Sequence, residues 1–284
     1  VIDTRLITPQ IQPNPAWADL GDGIGEPRLL REVLPAHTKP GPPPEGPANS
    51  LTVGSTLEEP RVVTGPMFPT VGSTGWNPPD PTLAVGPNHL IVTVNSRVEF
   101  FTKAGVRTFA APLDQSGSPG FFEPLGAAGF VFDPKCFFDH YAQRFVIVVL
   151  EKYSSPNQEA WVDIAVSDDA DPNGVWYKYR TDAVTTIGTS TYWWDFPGAG
   201  YDQNAYYVTS NLFGLNSSGY GGFAVRIFDK ASLLAGGTAV YSTLGESGYV
   251  VQPALTFGST PGNAAIMATI ENSTTVKLWA ITNP

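Results

Sequence analysis

Aspartates open three similar stretches of this 284-residue chain: Asp80 before Pro81, Asp133 before Pro134, and Asp195 before Phe196-Pro197. A fourth stretch opens with Gln252-Pro253, and successive openings lie 53, 62 and 57 residues apart. Carboxylates gathered from such repeats could do two kinds of chemistry. As a pair they supply the acid and the base or nucleophile of glycoside cleavage. As a ring they hold a cation or the hydroxyls of a sugar. A structural account competes with both: Asp caps the turn into each repeat while Pro fixes its φ. Recurrence at each opening is what a structural role predicts, and Gln252 breaks the series.

Two further groups have suggestive spacing. Asp169, Asp171 and Asn173, followed by Gly174, alternate oxygen-bearing side chains as a calcium loop does, so Ca2+ is the one cofactor the chain suggests. Arg180 stands where an EF-hand needs its glutamate, and a polar turn between strands explains the same residues. Trp193, Trp194 and Tyr206 are candidates to stack on a sugar ring, with core packing as the alternative. Neighbours in an extended segment point opposite ways, so at most one of Trp193 and Trp194 is expected to face the core. Cys136, the one cysteine, lies in an apolar run and reads as a buried structural thiol. His37, His89 and His140 have no metal spacing, and no nucleophile or phosphate-loop motif is present.

The elements that must position these residues recur in the same order. A short first strand follows each opening, at residues 82–85, 136–138, 199–201 and 254–257. Second strands are expected at 90–95, 144–150, 205–211 and 264–270, and third strands at 98–102, 161–167, 223–229 and 276–282. Fourth strands fall at 106–110, 175–181 and 239–244, and helical spacing is confined to one turn at 230–235. Short strands joined by tight turns, one unit per fifty to sixty residues, describe the blades of an all-β propeller. The blades run approximately 76–125, 126–190, 191–247 and 248–284, the last lacking its outer strand. An extended Pro/Gly-rich leader, 1–75, precedes them and offers 51–57 or 61–64 as the missing strand.

Composition narrows the partners. A net charge of −10 argues against nucleic acid, which is held largely by Lys and Arg. No run approaches the length of a membrane span, so no membrane insertion is expected. The low charged fraction (15%) and the processed-looking N-terminus suit a secreted or cell-surface protein.

The string from Pro79 to His89, the Phe132-Asp133-Pro134 step with Phe138-Asp139, the segment from Asp171 to Tyr179 and the ending Leu278–Pro284 resemble a family of secreted bacterial β-propellers, largely uncharacterised. The resemblance covers residues 76–284 and implies the fold, without an activity. It also implies that a protein partner, or the protein's own further C-terminal blades, completes the fourth blade. Five-bladed glycosidases open blades with a comparable Asp-Pro step. The expected function is an extracellular non-catalytic binding or assembly module, with a glycan as one ligand class. The alternatives are a carbohydrate-active hydrolase or lyase using Asp80, Asp133 and Asp195, and a calcium-stabilised structural surface protein.

Overall fold

The computed structural model describes residues 2–3, 67–115, 119–128, 130–153, 158–215, 219–260, 263–272 and 275–282. A two-residue strand, β1 (Ile2–Asp3), precedes four antiparallel sheets. Blade 1 comprises β2 (Thr82–Val85), β3 (His89–Val94), β4 (Arg97–Thr102) and β5 (Arg107–Pro112). Blade 2 comprises β6 (Val131–Asp139), β7 (Arg144–Tyr153), β8 (Glu159–Ser167) and β9 (Val175–Asp182). A short β10 (Thr185–Ile187) leads into blade 3, formed by β11 (Ser190–Tyr201), β12 (Ala205–Gly214), β13 (Tyr220–Asp229) and β14 (Tyr241–Glu246). A single helical turn, α1 (Lys230–Leu234), sits between β13 and β14. Blade 4 comprises β15 (Gln252–Pro253), β16 (Ala265–Asn272) and β17 (Thr275–Ile281). This is the all-β propeller architecture read from the repeat, with three strands in the last blade.

Burial explains why the middle strands are continuous apolar runs. Alternate residues of β7 serve opposite interfaces: Phe145, Ile147 and Val149 join the core shared with blade 1, while Val146, Val148 and Leu150 join the core shared with blade 3. All six are fully buried. A sheet covered on both faces needs no polar alternation, and each such side chain contributes about 1.5–3 kcal/mol through burial. The same split recurs in β12, where Tyr206 and Val208 face blade 2 and Ala205 and Tyr207 face blade 4.

This packing corrects the expectation for Trp193 and Trp194. Both are buried, at 7% and 1% exposure, because blade 3 is covered on both faces by its neighbours.

Second, third and fourth strands lie within three residues of their expected ends. The first strand of blade 1 is Thr82–Val85 as expected, and the other three first strands differ. β6 and β11 start upstream of the X-Pro step, which is a bulge inside the strand, with register shifts between Phe132 and Lys135 and between Asp195 and Gly198. In blade 4 the inner strand is only Gln252–Pro253, and Leu255 bridges in parallel to Tyr201 of blade 3.

The segments 51–57 and 61–64 lie outside the described residues, as does most of the expected leader. The N-terminal strand β1 pairs with the outer strand of blade 2, Ile2 opposite Trp176. Blade 4 is covered on one face by blade 3, while Phe257, Ile270, Val276 and Leu278 are exposed.

A buried tie fastens blade 3 to blade 2. Asp229 caps α1 through the Ser232 amide (2.8 Å), which places Lys230 against Asp139 at 2.8 Å. The Tyr206 hydroxyl donates to the same carboxylate at 2.8 Å.

Candidate functional site

The start of each inner strand meets its neighbours where the blades converge. Asp80 comes from blade 1, Asp133 from blade 2 and Asp195 from blade 3, and the three carboxyls are close enough to act on one another's acidity. Asn95, at the end of β3, knits the group together. Its Nδ2 donates to Asp80 Oδ2 at 2.6 Å and to the Pro78 carbonyl at 3.0 Å, while its Oδ1 accepts the Asp133 amide at 2.8 Å. The Phe196 amide donates to Asp133 Oδ2 (3.1 Å) and Asp195 Oδ1 (3.0 Å), which carries the network into blade 3.

Placement decides the acidity of these groups. Burial, then the charges of Asp195 and Asp80, push the Asp133 carboxyl up to about 8, against the pull of Lys135. Burial also raises Asp195 to about 7, although the Phe196 amide and Lys152 favour its ionised form. Like charges in one low-dielectric site cannot all ionise. Burial and the neighbouring carboxyls thus favour the protonated form of Asp133. Two cations border the site. Lys152 lies 3.7 Å over the Trp193 ring and Lys135 is 5.7 Å from the Phe196 ring.

The structure corrects one equivalence. In blades 1 and 2 the residue before Pro adopts a left-handed backbone, Asp80 at φ 45° and Asp133 at φ 49°. In blade 3 that place belongs to Phe196, at φ 55°, and Asp195 stands one residue earlier. The bulge lets Asp195 join the cluster from a different backbone position. The sequence signal for this was the extra residue in Asp195-Phe196-Pro197, compared with the direct Asp-Pro of the first two openings.

The remaining candidates lie elsewhere. Trp194 is packed with its Nε1 donating to Thr185 Oγ1 (2.9 Å) and the Arg226 guanidinium 4.6 Å over its ring. Tyr206 is fully buried on Asp139. Neither presents a ring face to a ligand, and Trp193 is covered by Lys152, Phe132 and Phe213. The expected sugar platform at Trp193, Trp194 and Tyr206 is thus core packing.

Asp169 Oδ1 accepts the Asp171 amide (2.7 Å), and Asp171 Oδ1 accepts both nitrogens of Asn173 (2.9 and 2.8 Å). These oxygens cap their own turn, which is the second of the two readings of that loop. Among the described residues no group of three or more His, Cys, Asp or Glu side chains is placed to hold a metal ion. Burial raises the Cys136 thiol to about 12, which leaves it protonated.

Sequence reasoning also missed a buried ion cluster in blade 2, where Arg180 bridges Asp163 (3.1 Å) and Glu151. A shallow apolar cleft on blade 1, lined by Phe68, Leu83, Leu90, Val92 and Phe101, contains no titratable group. No helix among the described residues is long and apolar enough to cross a membrane.

Fold and site together define a β-propeller with an acidic cluster at its centre. No protein-family model and no curated protein matches the sequence. Solved structures with a similar fold include an exo-1,5-α-L-arabinanase from a bovine ruminal metagenomic library, at 11% identity and a TM-score of 0.34, covering 57% of this chain and 56% of that one. A mutant α-L-arabinanase of Cellvibrio cellulosa matches at 10% identity and a TM-score of 0.33, over 71% and 68% of the two chains. A GH43 endo-arabinanase from Bacillus licheniformis matches at 12% and 0.25, over 71% and 92%. This chain thus spans little more than half the length of the ruminal enzyme.

These findings correct the expected non-catalytic binding or assembly module. The similar solved structures are arabinanases by their descriptions, a likeness of fold at 10–12% identity. The residues first weighed as turn caps form one cluster, joined through Asn95 and the Phe196 amide.

Proposed function

We propose that the chain is a carbohydrate-active hydrolase whose reaction takes place at the Asp80–Asp133–Asp195 cluster. One observation carries this reading: three carboxyl groups from separate blades, Asp80, Asp133 and Asp195, share one hydrogen-bonded cluster through Asn95 and the Phe196 amide. Glycoside cleavage needs a carboxylic acid to protonate the leaving oxygen and a carboxylate to activate water or to bond the sugar. A donor works best when its pKa lies near the operating pH, and burial has moved Asp133 there. In this reaction Asp133 protonates the leaving glycosidic oxygen, and a neighbouring carboxylate acts on the water or on the anomeric carbon. The low charged fraction supports a secreted enzyme that meets its glycan outside the cell.

The test is reducing-sugar release from a panel of polysaccharides, arabinan included, by the wild type and by Asp133→Asn. The expected outcome is turnover that falls by at least about a hundred-fold in the variant, the lower end of what a general acid supplies. Equal turnover by the two proteins removes Asp133 from the mechanism.

A further inference from the structure

Phe196 is out of place by every local criterion except proximity to the acids. A bulky residue at φ 55° is a backbone outlier, and Asp, which tolerates the left-handed region, fills the matching place in blades 1 and 2. The ring gains little packing in return: it is 38% exposed, in a position where the inner strands converge. Its amide is held by Asp133 and Asp195, which fixes its backbone beside the cluster. The fourth matching position, before Pro253, holds exposed Gln252. The four centre-facing positions are therefore two carboxyls, one aromatic ring and one amide. Strained side chains of this kind collect where function requires them.

We infer that Phe196 is a substrate-positioning residue, whose exposed ring stacks on the apolar face of the sugar beside the scissile bond and selects neutral glycans. Resting on the hydrolase reading, it adds the substrate class. Aromatic faces suit the C–H face of a sugar ring. The surrounding aspartates repel a sugar that carries its own carboxylate, while the Gln252 amide can bond a hydroxyl.

The experiment measures binding by calorimetry and turnover by sugar release, using short oligosaccharides of arabinose, xylose, galactose and glucose and of a uronic acid. Proteins are the wild type, Phe196→Gly, Phe196→Asn and Phe196→Tyr, with binding measured in an Asp133→Asn background that cannot consume the ligand. Glycine and asparagine both accept the backbone conformation, so neither should lower the melting temperature. Expected are about ten-fold weaker binding and a higher KM in both, retention in Phe196→Tyr, and no binding of the uronic acid. Unchanged affinity in Phe196→Gly and Phe196→Asn overturns the inference, even if Asp133→Asn has lost turnover and the hydrolase reading stands. Tight binding of the uronic acid overturns the selectivity. A wild type that neither binds nor cleaves any of these sugars counts against both readings.

Discussion

Asp133 owes its acidity to its surroundings, and the same surroundings tie its proton to the stability of the fold. In the unfolded chain the carboxyl ionises near its ordinary 3.8, and in the folded chain near about 8. Below about pH 4 both states are protonated and this group's contribution is complete. Between the two values the folded state binds the extra proton, so raising the pH removes stability, and the loss levels off above about pH 8. Asparagine keeps the shape and does not titrate. The melting temperature of Asp133→Asn, minus that of the wild type, should therefore rise steadily from pH 4 to pH 8 and then stay flat. Glu151 is also raised, to about 8, but it does not interact with Asp133 and cancels in the difference. Asp195, raised to about 7, interacts with Asp133, and its change is part of the measured difference. A difference that does not change with pH would mean that Asp133 ionises normally. The candidate acids were visible in the sequence because Asp-Pro recurs. Phe196 was not, because aligning on the aspartates placed Asp195 in register and treated the phenylalanine as an insertion. Backbone conformation shows that the register belongs to the residue before proline.

At the level of elements, the link between blades is made by strand ends as well as by apolar faces. Asn95 closes β3 and bonds blade 1 to the first turn of blade 2. In blade 3, Asn211 Oδ1 accepts the Val250 amide at 3.3 Å and the Tyr220 hydroxyl at 2.7 Å, another link toward blade 4. Asn95 is 2% exposed, so its removal leaves buried groups unpaired. Asn95→Ala should cost about 1–3 kcal/mol, seen as a lower urea midpoint at unchanged slope. A midpoint equal to that of the wild type would show that the tie contributes nothing. The middle strands were legible because burial on both faces makes them unbroken apolar runs. The inner strands were half-legible: proline suggested a start, whereas in β6 and β11 it marks a bulge within a longer strand. The tryptophans misled because the alternation rule assumes a sheet with one wet face.

Across the whole molecule, stability should be graded along the row of blades. Blades 2 and 3 are packed on both faces, while blade 4 has a core on one face only and leaves Phe257, Ile270, Val276 and Leu278 exposed. Local opening is easiest where few apolar contacts must be broken. Native-state hydrogen exchange should therefore be slowest for the amides of β7 and β12 and fastest for those of β16 and β17. Uniform protection across the sheets would contradict this gradient. The centre is also a property of the assembled sheets. No blade holds the acidic cluster by itself, since each of three blades supplies one of its carboxyls. A change that pulls one blade away from the others therefore dismantles the cluster without altering any of its aspartates.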